Sequence, residues 1–294
     1  MGLNADTAIR VLTMTSLGGL LFTTGLRLTW LEIVNALRAS RFGWILLVNF
    51  ALVPALTFCV AHVFQFPSNI AIGMMLLAAA PFAPVVPVFT KMARGDMALA
   101  GALTALFPLL SAFLTPLVCE FALKPWLGTG PLKFNVLTIL VVLVSTITLP
   151  LVIGVMFSHW VPALGRKLLR PCEIFSEAAG ALSLAFVSFV EFPAVRETGW
   201  KPLLAMAVVF ELCLAIGYFL GGSSAGARRV VALGTSNRNI ALALLVGIES
   251  FPGTPILAGV VANGLLLIFL GLLHVAYWRF WAEDSHEKAQ KARK

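Results

Sequence analysis

Six consecutive residues, Gly234-Thr235-Ser236-Asn237-Arg238-Asn239, carry no large apolar side chain, yet they lie inside an otherwise apolar stretch from Val230 to Ile248. A charge at membrane depth costs from about 2.5 to well over 10 kcal/mol, depending on the method. Non-helical backbone is tolerated there only when it is buried in protein or lines a wet cavity. Two readings follow. In one, the segment is a polar packing seam and Arg238 snorkels toward a headgroup. In the other, Gly234 opens a break in the helix, and a site for a solute forms near the midplane. Thr235, Ser236, Asn237 and Asn239 then supply hydroxyls and amides, while Arg238 and the half-helix N-termini supply positive potential.

A second irregularity is Pro81-Phe82-Ala83-Pro84-Val85-Val86-Pro87. Pro81, Pro84 and Pro87 each remove an amide donor and clash with the preceding turn, so a continuous helix cannot pass through them. Other polar residues expected at depth are Asn49, Thr104, Glu211 and Asn263. Each can serve as a helix–helix hydrogen bond or as a solute contact. Glu211 is the one acid well inside a core span, able to pair with Arg238 or to carry a proton. Glu173 and Glu177 fall near the end of a span, at the interface or facing a cavity. No H-E-x-x-H, G-x-S-x-G or Walker pattern occurs, so the sequence supports neither an intramembrane enzyme nor a nucleotide-driven pump. Cys59, Cys119, Cys172 and Cys213 have no metal-ligand spacing, and no cofactor or metal is expected.

The elements that must hold these residues are membrane spans. The chain has 294 residues, 60% hydrophobic and only 12% charged, against about 25% charged in a soluble domain. The net charge of +8 lies between apolar runs and does not indicate nucleic acid. Runs of about 20 apolar residues predict an all-α membrane protein of nine transmembrane helices: 8–28, 43–66, 69–92, 97–123, 134–160, 174–193, 200–222, 230–248 and 255–281. The first reads as a full span rather than a cleavable leader. Residues 1–281 form one domain, and 282–294 a charged cytoplasmic tail with a disorder-prone composition. Most of the 21 Lys and Arg residues fall on one side, among them Arg27, Arg94, Arg166 and Arg229; Arg10, Lys124, Lys133, Arg196 and Lys201 fall on the other. The first side is expected in the cytoplasm, with the N-terminus outside and the C-terminus inside. The two broken spans, third and eighth, run in opposite orientations at matching places in the two halves, which points to an inverted repeat.

These broken spans resemble those of the bile acid:sodium symporter family. Ala80-Pro81 followed by Ala93-Arg94-Gly95-Asp96-Met97-Ala98-Leu99 is similar to the family's first crossover and its exit. Leu17–Leu26 and Asn49-Phe50-Ala51-Leu52-Val53-Pro54 resemble two further helices, Asn239 matches the Asn after the second break, and Asn263 one in the last helix. The resemblance covers nearly the whole chain. It implies a core of six helices, from 43–123 and 200–281, and a panel from 8–28, 134–160 and 174–193. Members import small or amphipathic organic anions with sodium, and some have nine spans. A bacterial inner membrane is the expected location.

The departures bear on coupling. The family's Ser-Asn sodium ligands fall on Val86 and Pro87, and a nearby Ser on Ala100. Its shared Glu falls on Gly234, the crossover Gln on Arg238 and another Gln on Asn49; only its Thr is kept, as Thr104. Sodium coupling is therefore not carried over. The expectation is a secondary transporter of an organic anion working by alternating access between lipid-embedded domains. The alternatives are a proton-coupled carrier or exporter using Glu211, and a non-transporting membrane receptor of the same fold.

Overall fold

Long apolar runs can satisfy their amides in lipid only as helices or closed barrels. Every regular element among the described residues is a helix. The computed structural model describes residues 5–27, 34, 41–127 and 133–291, with 281–291 as backbone only. Arg38, Arg293 and Lys294, part of the expected basic side, lie outside the described residues, as does the end of the tail at 292–294.

In chain order the main helices are α1 (Ala5–Arg27), α2 (Phe42–Val63), α3 (Ser68–Ala78), α4 (Val86–Met92), α5 (Met97–Ala122) and α6 (Val136–Trp160). They continue as α7 (Pro162–Val190), α8 (Trp200–Leu220), α9 (Ala225–Ser236), α10 (Ile240–Ser250) and α11 (Ile256–Lys291). Among the described residues, 8 helices are long and apolar enough to cross a membrane, counting 225–250 as one. The expected span 69–92 is not among them. It is divided into α3 and α4 by 79–85, where Pro81 and Pro84 interrupt the amide ladder and Phe82 takes a left-handed φ of 55°.

Two boundaries differ from the sequence expectation. α7 begins at Pro162 rather than near 174; its first turns carry Arg166, Lys167 and Arg170, so they lack the hydropathy of a span while remaining helical. α11 continues to Lys291, where a disorder-prone tail was expected. Ala, Glu and Lys recur in this stretch and have high helix propensity.

α1 packs chiefly against α6 and α7, while α8 packs on α9, and α3 on α11. The α1–α6 approach depends on small residues: a Cβ on Gly25 would lie 2.2 Å from the Leu151 carbonyl oxygen, and one on Gly154 2.2 Å from that of Phe22. A buried cluster including Phe50, Phe82, Phe107, Phe210 and Leu233 surrounds the two breaks. Large apolar side chains such as Phe121, Leu137, Phe189 and Phe219 are exposed around the outside, as lipid contact requires. The 225–250 pair is the most enclosed of the spans.

Candidate functional site

The break after α3 leaves the carbonyls of Ala78, Ala79 and Ala80 without helical amide partners, while the Leu77 oxygen keeps the Ala80 amide (3.0 Å). Each of those three receives a donor from elsewhere. Arg238 Nε donates to the Leu77 oxygen (3.3 Å) and Nη2 to that of Ala78. Thr115 Oγ1 on α5 donates to the Ala79 oxygen (2.7 Å), and the Asn239 amide to that of Ala80 (2.8 Å). In return the Ala83 amide donates to the Asn237 oxygen (3.1 Å). The two breaks therefore meet directly, backbone to backbone.

Arg238 ties a third element to this crossing. Its Nη1 donates to Asn49 Oδ1 (2.8 Å) and to the Thr235 oxygen at the end of α9 (3.2 Å), and its Nη2 also to the Asn49 carbonyl oxygen (3.1 Å). That last carbonyl is free for a local reason. α2 makes a π turn at Val48–Leu52, in which the Val53 amide bonds to the Val48 oxygen; the next residue, Pro54, has no N–H to offer Asn49. Asn49 Nδ2 completes the knot by donating to Ile45 oxygen (2.9 Å) and Thr235 Oγ1 (3.2 Å). All five guanidinium N–H groups thus engage protein oxygens, and Arg238 is only 3% exposed. The C-terminal ends of α3 and α9, each carrying about half a negative charge, converge on its positive charge.

Gly234 and Phe82 explain each other. A Cβ at 234 would fall 2.1 Å from the Phe82 ring, so only glycine admits that ring. Phe82 stacks on Phe107 (centroids 4.1 Å apart), which stacks on Phe50 (5.9 Å). Gly234 thus faces an aromatic stack. Val86 and Ala100 are fully buried apolar residues. Thr104 is buried and its Oγ1 has no partner.

A cavity of about 410 Å³ lies on the other side of the crossing. Pro84, Val85, Asn237, Arg238, Asn239 and Ile240 line it from the breaks, Thr13, Ser16 and Leu20 from α1, and Glu177, Gly180 and Leu184 from α7. Asn239 caps α10 through its Oδ1, which accepts from the Leu242 amide (3.0 Å); its Nδ2 is buried without a partner. Ser236 Oγ donates back to Ala232 oxygen (2.9 Å). The structure therefore brings Asn49, Thr235, Ser236, Asn237, Arg238 and Asn239 into one constellation at the breaks. Pro87 stands in the first turn of α4. Asn263 on α11 bonds only to its own helix, through Nδ2 to Gly259 oxygen (2.7 Å). Neither Thr104 nor Asn263 joins the constellation through a hydrogen bond.

Glu211 is not paired with Arg238. It meets His274 Nε2 of α11 at 3.0 Å, with its side chain 48% exposed on the outer surface of the bundle. Arg238 has carbonyl oxygens in place of a carboxylate. The residues that sequence reasoning missed are Thr115, Phe82 and Pro54. Pro54 carried a partial signal: in a regular helix a proline frees the carbonyl four residues earlier, which is that of Phe50, and the π turn at Val48–Leu52 moves the free carbonyl to Asn49.

A helical bundle with a lipid-facing apolar surface and a polar centre between two broken helices is an integral membrane protein of the solute-carrier kind. The chain belongs to the sodium bile acid symporter family, whose profile matches residues 14–195; this is a family of transporters, not of enzymes. The chain is 24% identical over 216 residues to the probable sodium/metabolite cotransporter BASS1, chloroplastic, of Oryza sativa subsp. japonica, covering 72% of this chain and 52% of that protein. It is 22% identical over 277 residues to the BASS2 protein of the same plant (92% and 65%), and 23% identical over 274 residues to the BASS1 protein of Arabidopsis thaliana (91% and 65%). The chain spans between about half and two-thirds of the length of these relatives.

Proposed function

We propose that this protein is a secondary transporter that moves an amphipathic organic anion by alternating access, without sodium coupling. The observation that carries the reading is the engagement of all five Arg238 donors with oxygens of both breaks and of α2. In this reading Arg238 is a tethered cation that takes the place of a bound ion, holding the crossing together through the transport cycle. The lack of side-chain oxygens at Val86, Pro87, Ala100 and Gly234 supports it, as does the Phe82 ring against Gly234.

The cavity supports the solute class. Its walls are largely apolar, which suits the body of an amphipath. Ile240 and Ala241, the first residues of α10, line it, and their amides have no intrahelical acceptor. Together with the dipole of α10 and the charge of Arg238, they favour an anionic head. Thr235, Ser236, Asn237, Asn239, Asn49, Thr104 and Asn263 form the solute-binding and second-layer polar set of this proposal, and Pro81, Pro84, Pro87 and Gly234 the breaks.

The paired half-helices α3/α4 and α9/α10 then make two crossovers related by an inverted repeat, giving nine crossings. α1, α6 and α7 form the panel and the remaining helices the core. Loop charges favour an outside N-terminus and a cytoplasmic C-terminus, in a bacterial inner membrane. The test is tracer flux of taurocholate, an amphipathic anion, into proteoliposomes of the purified protein. Saturable uptake above that of protein-free vesicles is expected. Saturable binding without flux would favour a receptor and contradict the reading.

A further inference from the structure

The cavity is lined by two charged side chains, Arg238 and Glu177. Glu177 stands on α7 one turn beyond Glu173. The two acids are in different situations. Glu173 is held by Arg27 of α1 (2.7 Å) and by Arg170 of its own helix (3.2 Å). Glu177 is exposed and has no ion-pair partner among the described residues. The elements packed against α7 bring other titratable or charged groups: Asp6, Arg10 and Arg27 on α1, His159 on α6, Arg196 and Glu197 on the short helix Phe192–Glu197, and His274 and Arg279 on α11. Arg10 pairs with Glu249, Arg27 with Glu173 and His274 with Glu211. None of these groups lines the cavity. A carboxylate a turn inside the apolar part of a span must otherwise be hydrated or neutralised.

Charge balance in the cavity then decides what Glu177 does. The C-terminal ends of α3 and α9 and the N-terminal ends of α4 and α10 cancel in pairs at the crossing, each end being worth about half a charge. This leaves the positive charge of Arg238 against the negative charge of Glu177, so the empty cavity is neutral. An anionic solute makes it negative by one. Net charge in a low-dielectric, partly enclosed space is unfavourable. One proton on Glu177 restores neutrality.

We propose that Glu177 is the coupling group: its carboxylate takes a proton from water on the side where the anion enters, and releases it to water where the anion leaves. Anion and proton cross together as a neutral pair, with Arg238 as the fixed countercharge. The proposal rests on the reading of this cavity as the solute site. It moves proton coupling away from Glu211, which lies on the outer surface against His274 and does not line the cavity. Linkage is reciprocal: if the anion favours protonation, protonation favours the anion by the same factor.

The test is equilibrium binding of taurocholate to the full-length protein in detergent. Its sulfonate stays ionised across the range used, so any pH dependence belongs to the protein. Affinity is expected to rise about tenfold between about pH 8 and about pH 5. Glu177→Gln should bind at the higher pH as the parent does at the lower, with little dependence between them, whereas Glu211→Gln should keep the parent's dependence. Independently of any variant, adding taurocholate to the weakly buffered parent protein should raise the pH of the solution through proton uptake. An unchanged pH dependence in Glu177→Gln, or binding without proton uptake, would overturn the proposal while leaving the anion site standing. No binding by the parent at any pH would instead sink the anion reading beneath it.

Discussion

Arg238 donates to four main-chain oxygens, those of Leu77, Ala78, Asn49 and Thr235, and to Asn49 Oδ1, and this shapes what substitution there should do. A buried carbonyl left without a donor costs about 1–3 kcal/mol. Arg238→Gln abandons several at once, so its melting temperature in detergent should fall far below that of the parent. Arg238→Lys keeps the charge with fewer, unforked donors, and should fall between them. Equal melting temperatures for all three would remove Arg238 from the role of a tether. The neighbouring Gly234→Ala places a methyl 2.1 Å from the Phe82 ring. Overpacking of this kind costs about 1–3 kcal/mol. Adding Phe82→Ala opens the space, so the double variant should be more stable than the summed single effects predict, which a double-mutant cycle of unfolding measures. Additive effects would mean that the two positions do not share that space. At this scale the sequence was partly legible. The isolation of Arg238 in an apolar run marked it, but its partners depend on a π turn and on Pro54, whose effect appears only once α2 lies beside the crossing. Glu211 was misleading for a similar reason: a span's sequence does not reveal which face turns outward, and here that face meets His274.

Among the elements, the breaks were the most legible features, because three prolines in seven residues leave a helix no choice. What covers the Ala79 carbonyl at the open end of α3 was not, since its donor, Thr115, comes from the second half of α5, where a threonine looks like any other helix residue. Thr115→Val deletes the donor to Ala79 oxygen with little change in shape. It should lower the unfolding free energy by about 1–3 kcal/mol, and Thr115→Ser, which keeps the hydroxyl, should lie near the parent in the same denaturation experiment. If Thr115→Val matched the parent, water or another group would be serving that carbonyl. The length of α7 was hidden by composition: its first three turns are basic and amphipathic, so they carry helix propensity but no span signal. Those turns bring Arg170 to Glu173, beside Arg27, and leave Glu177 facing the cavity.

For the whole molecule, membership of the sodium bile acid symporter family has to be set against the proposed independence from sodium, and the proposal rests on the crossing. The positive charge of Arg238 sits where the half-helices meet and is covalently attached; in the proposed reading it does the work of an ion that solution need not supply. The family resemblance, the membrane class and the two breaks were all readable from the chain. Which oxygens the guanidinium takes was not, because they come from three separate segments meeting at one point. Taurocholate uptake into proteoliposomes, measured with sodium and again with choline replacing it on both sides, tests this account most directly. Equal initial rates are expected. A steep rise in uptake with sodium concentration would contradict it.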